Sequence, residues 1–386
     1  MLREHSRFAW LLLLLCSGWL FLLLSSRLRA GDWVTFAHDP ARTGWAAEER
    51  KLSRANVAGL RLEWKAELKN EPKEMTALTA PIAVSGVQTP QGARNVLYVV
   101  GTSDVVFALD ADTGAEIWTR PLRPYASPTS AVRINWLCPA GVNATPVADN
   151  KDNTLYVIAS DGKLHRMDLG TGEMKARPFQ FVPPFSKNWS LNLVGGVLYT
   201  TISQGCGGAR SGIYALDLRD PLQPVARFLY TSRSGSAGVW GRAGAAIGDN
   251  GIIYVAAGDG PFQPATHEFG SSVVAARLGE LKLADYFTPA NWKELNELDL
   301  DLGSASPVWF RYQNWELLAV GAKEGVVYLM DAESLGGQDH HSALYTSPLL
   351  SNDGQSFEGH GIWGGFSTWR DPEGDTWLYV PTWGPV

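Results

Sequence analysis

Short apolar runs of alternating type recur along this chain, each parted from the next by a Gly/Asp/Ser turn. Leu97-Tyr98-Val99-Val100 is one such run; Val106-Phe107-Ala108-Leu109 follows and ends in Asp110, then comes the turn Asp112-Thr113-Gly114 and a third run that carries Trp118. Alternation with period two between turn residues predicts strands, and Gly114 supplies the positive φ that such a tight turn requires. The phrase then returns. Residues 96–118 read VLYVVGTSDVVFALDADTGAEIW, 154–174 read TLYVIASDGKLHRMDLGTGEM, and 197–218 read VLYTTISQGCGGARSGIYALDL. Residues 252–278 open on IIYVAAGDG and close on SSVVAARL after an insertion, 317–331 read LLAVGAKEGVVYLMD, and WLYV at 377–380 starts a sixth copy.

The steps Tyr98 to Tyr156, Tyr156 to Tyr199 and Tyr199 to Tyr254 are 58, 43 and 55 residues. A period of about 50 residues with two to four strands per unit is that of a propeller blade, and a single blade cannot bury both faces without neighbours. The expected fold is all-β, a propeller with about six blades visible and the last one incomplete. Helix is expected only near Ala290–Leu298, and Leu60–Trp64 reads as a strand able to help close the ring. Asp110, Asp168, Asp217 and Asp331 end corresponding strands and are expected to accept hydrogen bonds from the turns that follow.

The N-terminus differs from the rest. Arg3 and Arg7 precede the 17-residue apolar run Phe8–Leu24, which has the order of a signal peptide and reaches the short limit of a membrane span. Residues 1–30 are therefore read as a signal peptide or an N-terminal membrane anchor. Residues 31–386 are read as one exported propeller domain, periplasmic or anchored and facing the periplasm.

Composition narrows the function. With 33 basic and 39 acidic residues the net charge is −6, which argues against a nucleic-acid partner, since that needs a basic face. Apolar residues make up 45 % of the chain, which excludes global disorder, and 40 Gly with 16 Trp suit a tightly turned β protein. Of three cysteines, Cys16 lies in the apolar leader; Cys138 and Cys206 could pair in an oxidising compartment, but sequence does not place them within reach. No C-x-x-C-H haem attachment signature is present.

The phrase ALDADTGAEIW resembles the repeat of pyrroloquinoline quinone (PQQ) β-propellers, and WVTFAHDPARTG at 33–44 is similar to the opening segment of that family's exported members. The resemblance spans residues 32–386 and implies a quinoprotein-type propeller, eight-bladed when complete. It also implies a site. Trp240, in Gly238-Val239-Trp240-Gly241-Arg242, stands where the family's dehydrogenases have the Trp that forms the floor under the quinone. Asp259, in Gly258-Asp259-Gly260-Pro261, stands where they have a calcium-binding Asn. Asp299 and Asp301, in Leu298-Asp299-Leu300-Asp301, stand near the catalytic Asp, and which of the two is the base remains open. Lys323, in Ala322-Lys323-Glu324-Gly325, matches the residue that touches the quinone oxygens. PQQ and Ca2+ are the implied cofactors, and an alcohol or sugar is the implied substrate. Two departures stand out: no adjacent cysteine pair is present, and Cys206 falls where a calcium-binding Glu is expected.

The repeat also occurs in outer-membrane assembly lipoproteins that carry no cofactor. The competing reading is thus a non-catalytic periplasmic scaffold with protein partners on its faces. Convergence of Trp240, Asp259, Asp299 or Asp301, and Lys323 on one funnel separates the two; a scaffold would scatter them.

Overall fold

Each of the first five repeats folds around a four-stranded antiparallel meander. The computed structural model describes residues 31–122, 134–220, 225–351 and 360–384; the leader expected over residues 1–30 lies outside them. The first sheet comprises Ile82–Thr89, Gly92–Gly101, Val105–Asp110 and Glu116–Pro121, paired in chain order. The second comprises Val147–Asp149, Thr154–Ile158, Lys163–Asp168 and Phe179–Gln180. The third is built from Asn192–Val194, Val197–Ser203, Gly212–Asp217 and Val225–Tyr230, with Lys187–Asn188 added beside its second strand. The fourth is Ala246–Ile247, Ile252–Ala256, Val273–Arg277 and Lys282–Phe287; the fifth is Val308–Tyr312, Trp315–Gly321, Val327–Asp331 and Tyr345–Thr346. A hairpin of Ser367–Arg370 with Thr376–Tyr379 follows at the sixth repeat. Among the described residues the α-helix is Trp292–Glu297, inside the expected window.

The apolar cores lie between consecutive sheets. One joins Tyr98, Val100 and Val106 of the first sheet to Leu155, Val157 and Met167 of the second. Corresponding clusters join second to third, third to fourth, fourth to fifth, and fifth to the last hairpin. This is the solution available to a repeat that has two apolar faces and no partner of its own. The recurring aromatics reinforce it with polar contacts across three of these seams. Tyr98 Oη donates to Leu169 O (2.8 Å) and Tyr254 Oη donates to Ala332 O (3.1 Å), while Tyr199 Oη accepts from Gly279 N (3.2 Å). Trp118 Nε1 donates to Leu169 O (3.0 Å), and a Cβ on Gly172 would stand 2.7 Å from its ring. The repeat-ending aspartates cap their turns as expected: Asp110 Oδ1 accepts from Asp112 N and Thr113 N, both at 3.0 Å, and Asp168, Asp217 and Asp331 do likewise.

Leu60–Trp64 is not a strand. Its alternation finds no sheet edge, and Leu62 is 82 % exposed. Trp64 instead donates to Ala111 O (3.0 Å) and lies over Gly114, as Trp118 lies over Gly172 one repeat later.

First strands of neighbouring sheets touch one another, which puts them innermost, and residues 33–43 run across them. Trp33 bridges Ala83 of the first sheet, and Val34 O accepts from Ala148 N of the second. Thr35 Oγ1 donates to Leu191 O beside the third. Pro40 O accepts from Ile247 N of the fourth, Ala41 O from Trp309 N of the fifth, and Thr43 O from Thr368 N of the last hairpin. Arg42, 1 % exposed, donates to Ala245 O (3.1 Å), Leu191 O (3.1 Å), Ser190 O (3.3 Å), Phe36 O (2.8 Å) and Thr35 Oγ1 (2.9 Å). One short segment thus ties every inner strand to a common hub.

Cys138 and Cys206 form a disulfide, with Cα atoms 5.4 Å apart and a sequence separation of 68. Closing so long a loop restricts the unfolded chain by about 4 kcal/mol in the chain-entropy treatment. Reduction is expected to lower the unfolding free energy by that order and to raise the m-value as the unfolded chain expands; an unchanged urea midpoint after verified reduction would contradict this.

Candidate active site

Consecutive sheets deliver the five singled-out side chains to one recess. Trp240 lies in the segment between the third and fourth sheets, and Asp259 follows the strand Ile252–Ala256. Asp299 and Asp301 follow the helix Trp292–Glu297, and Lys323 follows the strand Trp315–Gly321. The helix is held in place by Asn296, which donates to Gly260 O (2.7 Å) and accepts from Ser271 Oγ (2.7 Å). Past the helix end, Asp299 takes a left-handed conformation, φ 54°, a conformation Asp tolerates better than most residues.

Asp301 is the most constrained member, 1 % exposed. Its Oδ2 accepts from Trp240 Nε1 (3.1 Å) and Gly303 N (3.2 Å), and its Oδ1 lies 2.6 Å from Lys323 Nζ. Lys323 Nζ also pairs with Asp299, whose side chain is 45 % exposed, and stands 5.1 Å from the Trp240 ring centroid and 5.7 Å from that of Trp363. The two tryptophans meet at 5.4 Å with planes 60° apart. Asp259, Asp299 and Asp301 each offer a carboxylate oxygen, and these lie within 4.8 Å of one another.

Three carboxylates so close disfavour simultaneous ionisation. Asp259 opens onto the cavity; desolvation there, then the Asp301 charge, push its carboxyl up to about 8 despite Lys323. Burial raises Asp301 as well, against the pull of Lys323. Burial alone would lower the Lys323 ammonium, but Asp301 and Asp299 outweigh it and raise it. The cluster therefore holds a fixed cation and more acid groups than that cation can neutralise.

The tight packing depends on two glycines that sequence inspection did not single out. A Cβ on Gly258 would come within 2.4 Å of Asp301 Oδ2 and 2.8 Å of Trp240 Nε1, and one on Gly303 within 2.5 Å of Trp240 Nε1. Gly258→Ala is expected to part Trp240 from Asp301 and to lower the stability of the domain by about 1–3 kcal/mol. Gly59→Ala, where a Cβ meets nothing within 4 Å, is the control. Equal unfolding free energies of the two variants would contradict the packing argument.

The recess opens into a cavity of about 670 Å³, within the range of small-molecule sites. Beyond the five residues its wall includes Trp136, Leu137, Asn143, Lys187, Trp189, Gln204, Arg242 and Trp363. Lys187 is 6 % exposed; burial, and then the neighbouring Arg242, lower its ammonium to about 8. A lysine so depressed carries its burial cost fully below pH 8 and sheds it as pH rises toward the unfolded value of 10.5. The stability difference between Lys187→Met and the parent is therefore expected to shrink across that window; a pH-independent difference in thermal midpoints would contradict the assignment. Trp363 lines the cavity as well. His340 and His341 do not: His340 stacks on Tyr286 at 4.0 Å, and His341 Nδ1 contacts Thr288 O at 2.7 Å. Lys187, Trp189 and Trp136 fall outside the repeat and carried no signal in the sequence.

Comparison with known proteins bears on the fold. Residues 33–180 match the family described as PQQ: glucose/ethanol/alcohol dehydrogenase, beta-propeller domain. Over 87 residues, 22 % of this chain and 17 % of the relative, the sequence is 39 % identical to outer membrane protein assembly factor BamB of Kangiella koreensis. The fold is similar to quinohemoprotein alcohol dehydrogenase from Comamonas testosteroni, with TM-score 0.59 and 17 % identity over 84 % of this chain and 50 % of that one. It is similar also to a europium-containing methanol dehydrogenase, with TM-score 0.59 and 15 % identity over 83 % of this chain and 58 % of that one. The chain spans about half the length of these solved structures and a smaller share of the curated relative; at such identities the structural likeness is one of fold. Repeat, sheet architecture and structural likeness agree on a β-propeller fold, and residues 33–180 of it match the PQQ propeller family.

Proposed function

We propose that residues 31–386 form an exported quinoprotein dehydrogenase domain, which oxidises an alcohol or sugar at this cavity with PQQ and a hard cation. The observation that carries the reading is the meeting of Trp240, Asp259, Asp299, Asp301 and Lys323 in one recess. An all-oxygen, carboxylate-rich donor set suits Ca2+ or a trivalent lanthanide. Cys206 offers no such donor, being engaged in the disulfide; Asp259 restores a carboxylate to the cluster where the family pattern has Asn. The same disulfide fits an oxidising compartment, which supports reading residues 1–30 as an export signal or anchor.

When bound, PQQ accepts hydride and the cation polarises its carbonyl. The protein's own groups divide the remaining work. Trp240 offers a flat face whose tilt is fixed by its bond to Asp301. Asp301, buried and triply held, is suited to ligate rather than to exchange protons. Asp299 is the accessible carboxylate and receives the hydroxyl proton of the substrate at its Oδ atoms, as general base. Lys323, fixed between the two aspartates over the indole, stabilises negative charge developing on an oxygen placed there.

The test is a titration with PQQ, alone and with Ca2+ or Eu3+, followed by tryptophan quenching. Saturable, cation-dependent quenching, weakened at least ~10-fold (about 1.4 kcal/mol) by Lys323→Ala, is expected. The absence of quenching in folded protein would overturn the reading. It would favour a non-catalytic scaffold with protein partners, the alternative supported by the match to an assembly factor.

A further inference from the structure

The acidic recess is one pole of the cavity; Lys187 and Arg242 are the other. Lys187 extends from a two-residue strand held against the third sheet by the pairs Ile202–Asn188 and Ser203–Lys187. It is more than nine-tenths buried and lines the cavity, with its Nζ 5.5 Å from the Trp189 ring centroid. Arg242 lines the same wall and is braced by a bond from Nη2 to Met75 O (3.0 Å). Neither has an ion-pair partner among the described residues, and the charged group that acts on Lys187 is Arg242, a like charge. The remaining carboxylate of this wall, Glu74, pairs with neither among the described residues. A buried ammonium beside a guanidinium with no anion costs stability, and a protein keeps such a pair where a ligand supplies the missing charge. Trp136 and Trp189 beside it provide aromatic surface.

We infer that Lys187 and Arg242 form a carboxylate-binding subsite that anchors the acid group of a planar aromatic ligand lying in the cavity. The subsite deepens the proposed function, since PQQ is a planar polycarboxylate, but an acidic substrate presents the same chemistry.

Calorimetric titration of the full chain without added metal tests it, using 2,6-naphthalenedicarboxylate, its uncharged dimethyl ester, and PQQ. The dicarboxylate is expected to bind, and Lys187→Met and Arg242→Gln are each expected to weaken it ten-fold or more. Lys187→Arg should retain binding, and the diester should bind poorly and equally to all. If PQQ weakens in step, the acid group recognised is the cofactor's; if PQQ is untouched while the dicarboxylate weakens, it is the substrate's. Binding of the dicarboxylate with no response to PQQ would sink the quinone reading and leave the subsite standing. Equal binding of diacid and diester, or indifference to both Lys187→Met and Arg242→Gln in folded protein, would overturn the subsite. Arg242 is exposed, so its variant stays informative should Lys187→Met fold poorly.

Discussion

Asp299→Asn, in protein loaded with PQQ and cation, is expected to lower dye-linked alcohol oxidation by at least ~100-fold in kcat, the lower end for loss of a general base. The amide keeps the shape and can still face Lys323, but it cannot take a proton. Thermal stability should change little, because the side chain is half-exposed and makes one ion pair. Asp301→Asn should behave differently. That carboxylate holds Trp240, Gly303 and Lys323 together in a buried position, so its loss should remove ligand binding as well as turnover. If instead Asp299→Asn retains the parental kcat while Asp301→Asn retains binding and loses only rate, the roles are reversed.

The largest effect on stability is expected at Arg42. Arg42→Met leaves Ser190 O, Leu191 O, Ala245 O and Phe36 O without the donor they share. Each buried acceptor so abandoned costs about 1–3 kcal/mol, so a total of at least ~3 kcal/mol is expected after partial relaxation. Because these carbonyls belong to segments leading into the third and fourth sheets, the loss should be cooperative and lower the urea midpoint of the whole domain. A shift below about 1 kcal/mol would show that residues 33–43 lie across the inner strands without supporting them.

The architecture was legible because its signals are local and repeated. The run Leu97–Val100 and the Asp110 turn each recur, and each does the same thing in successive sheets. Leu60–Trp64 misled for an instructive reason: its alternation is that of a strand, but pairing needs an available edge. What recurs there is the tryptophan, with Trp64 over Gly114 repeating Trp118 over Gly172. The candidate site was legible only through resemblance. Trp240, Asp259, Asp299, Asp301 and Lys323 lie on segments scattered across more than eighty residues, and no spacing rule brings them together. The division of labour between Asp299 and Asp301 depends on burial, which two aspartates one residue apart do not reveal. Gly258 and Gly303 look like ordinary turn glycines until the indole is packed against them, and Lys187 is an unremarkable lysine until the sheet closes over it.

The most direct test of the account is the anomalous difference map of crystals grown with PQQ and Eu3+. The account predicts one strong peak at the carboxylates of Asp259 and Asp301, with Asp299 beside it, and planar density against Trp240 within reach of Lys323. Europium bound elsewhere, with those three carboxylates unchanged and no planar density in the cavity, would contradict it.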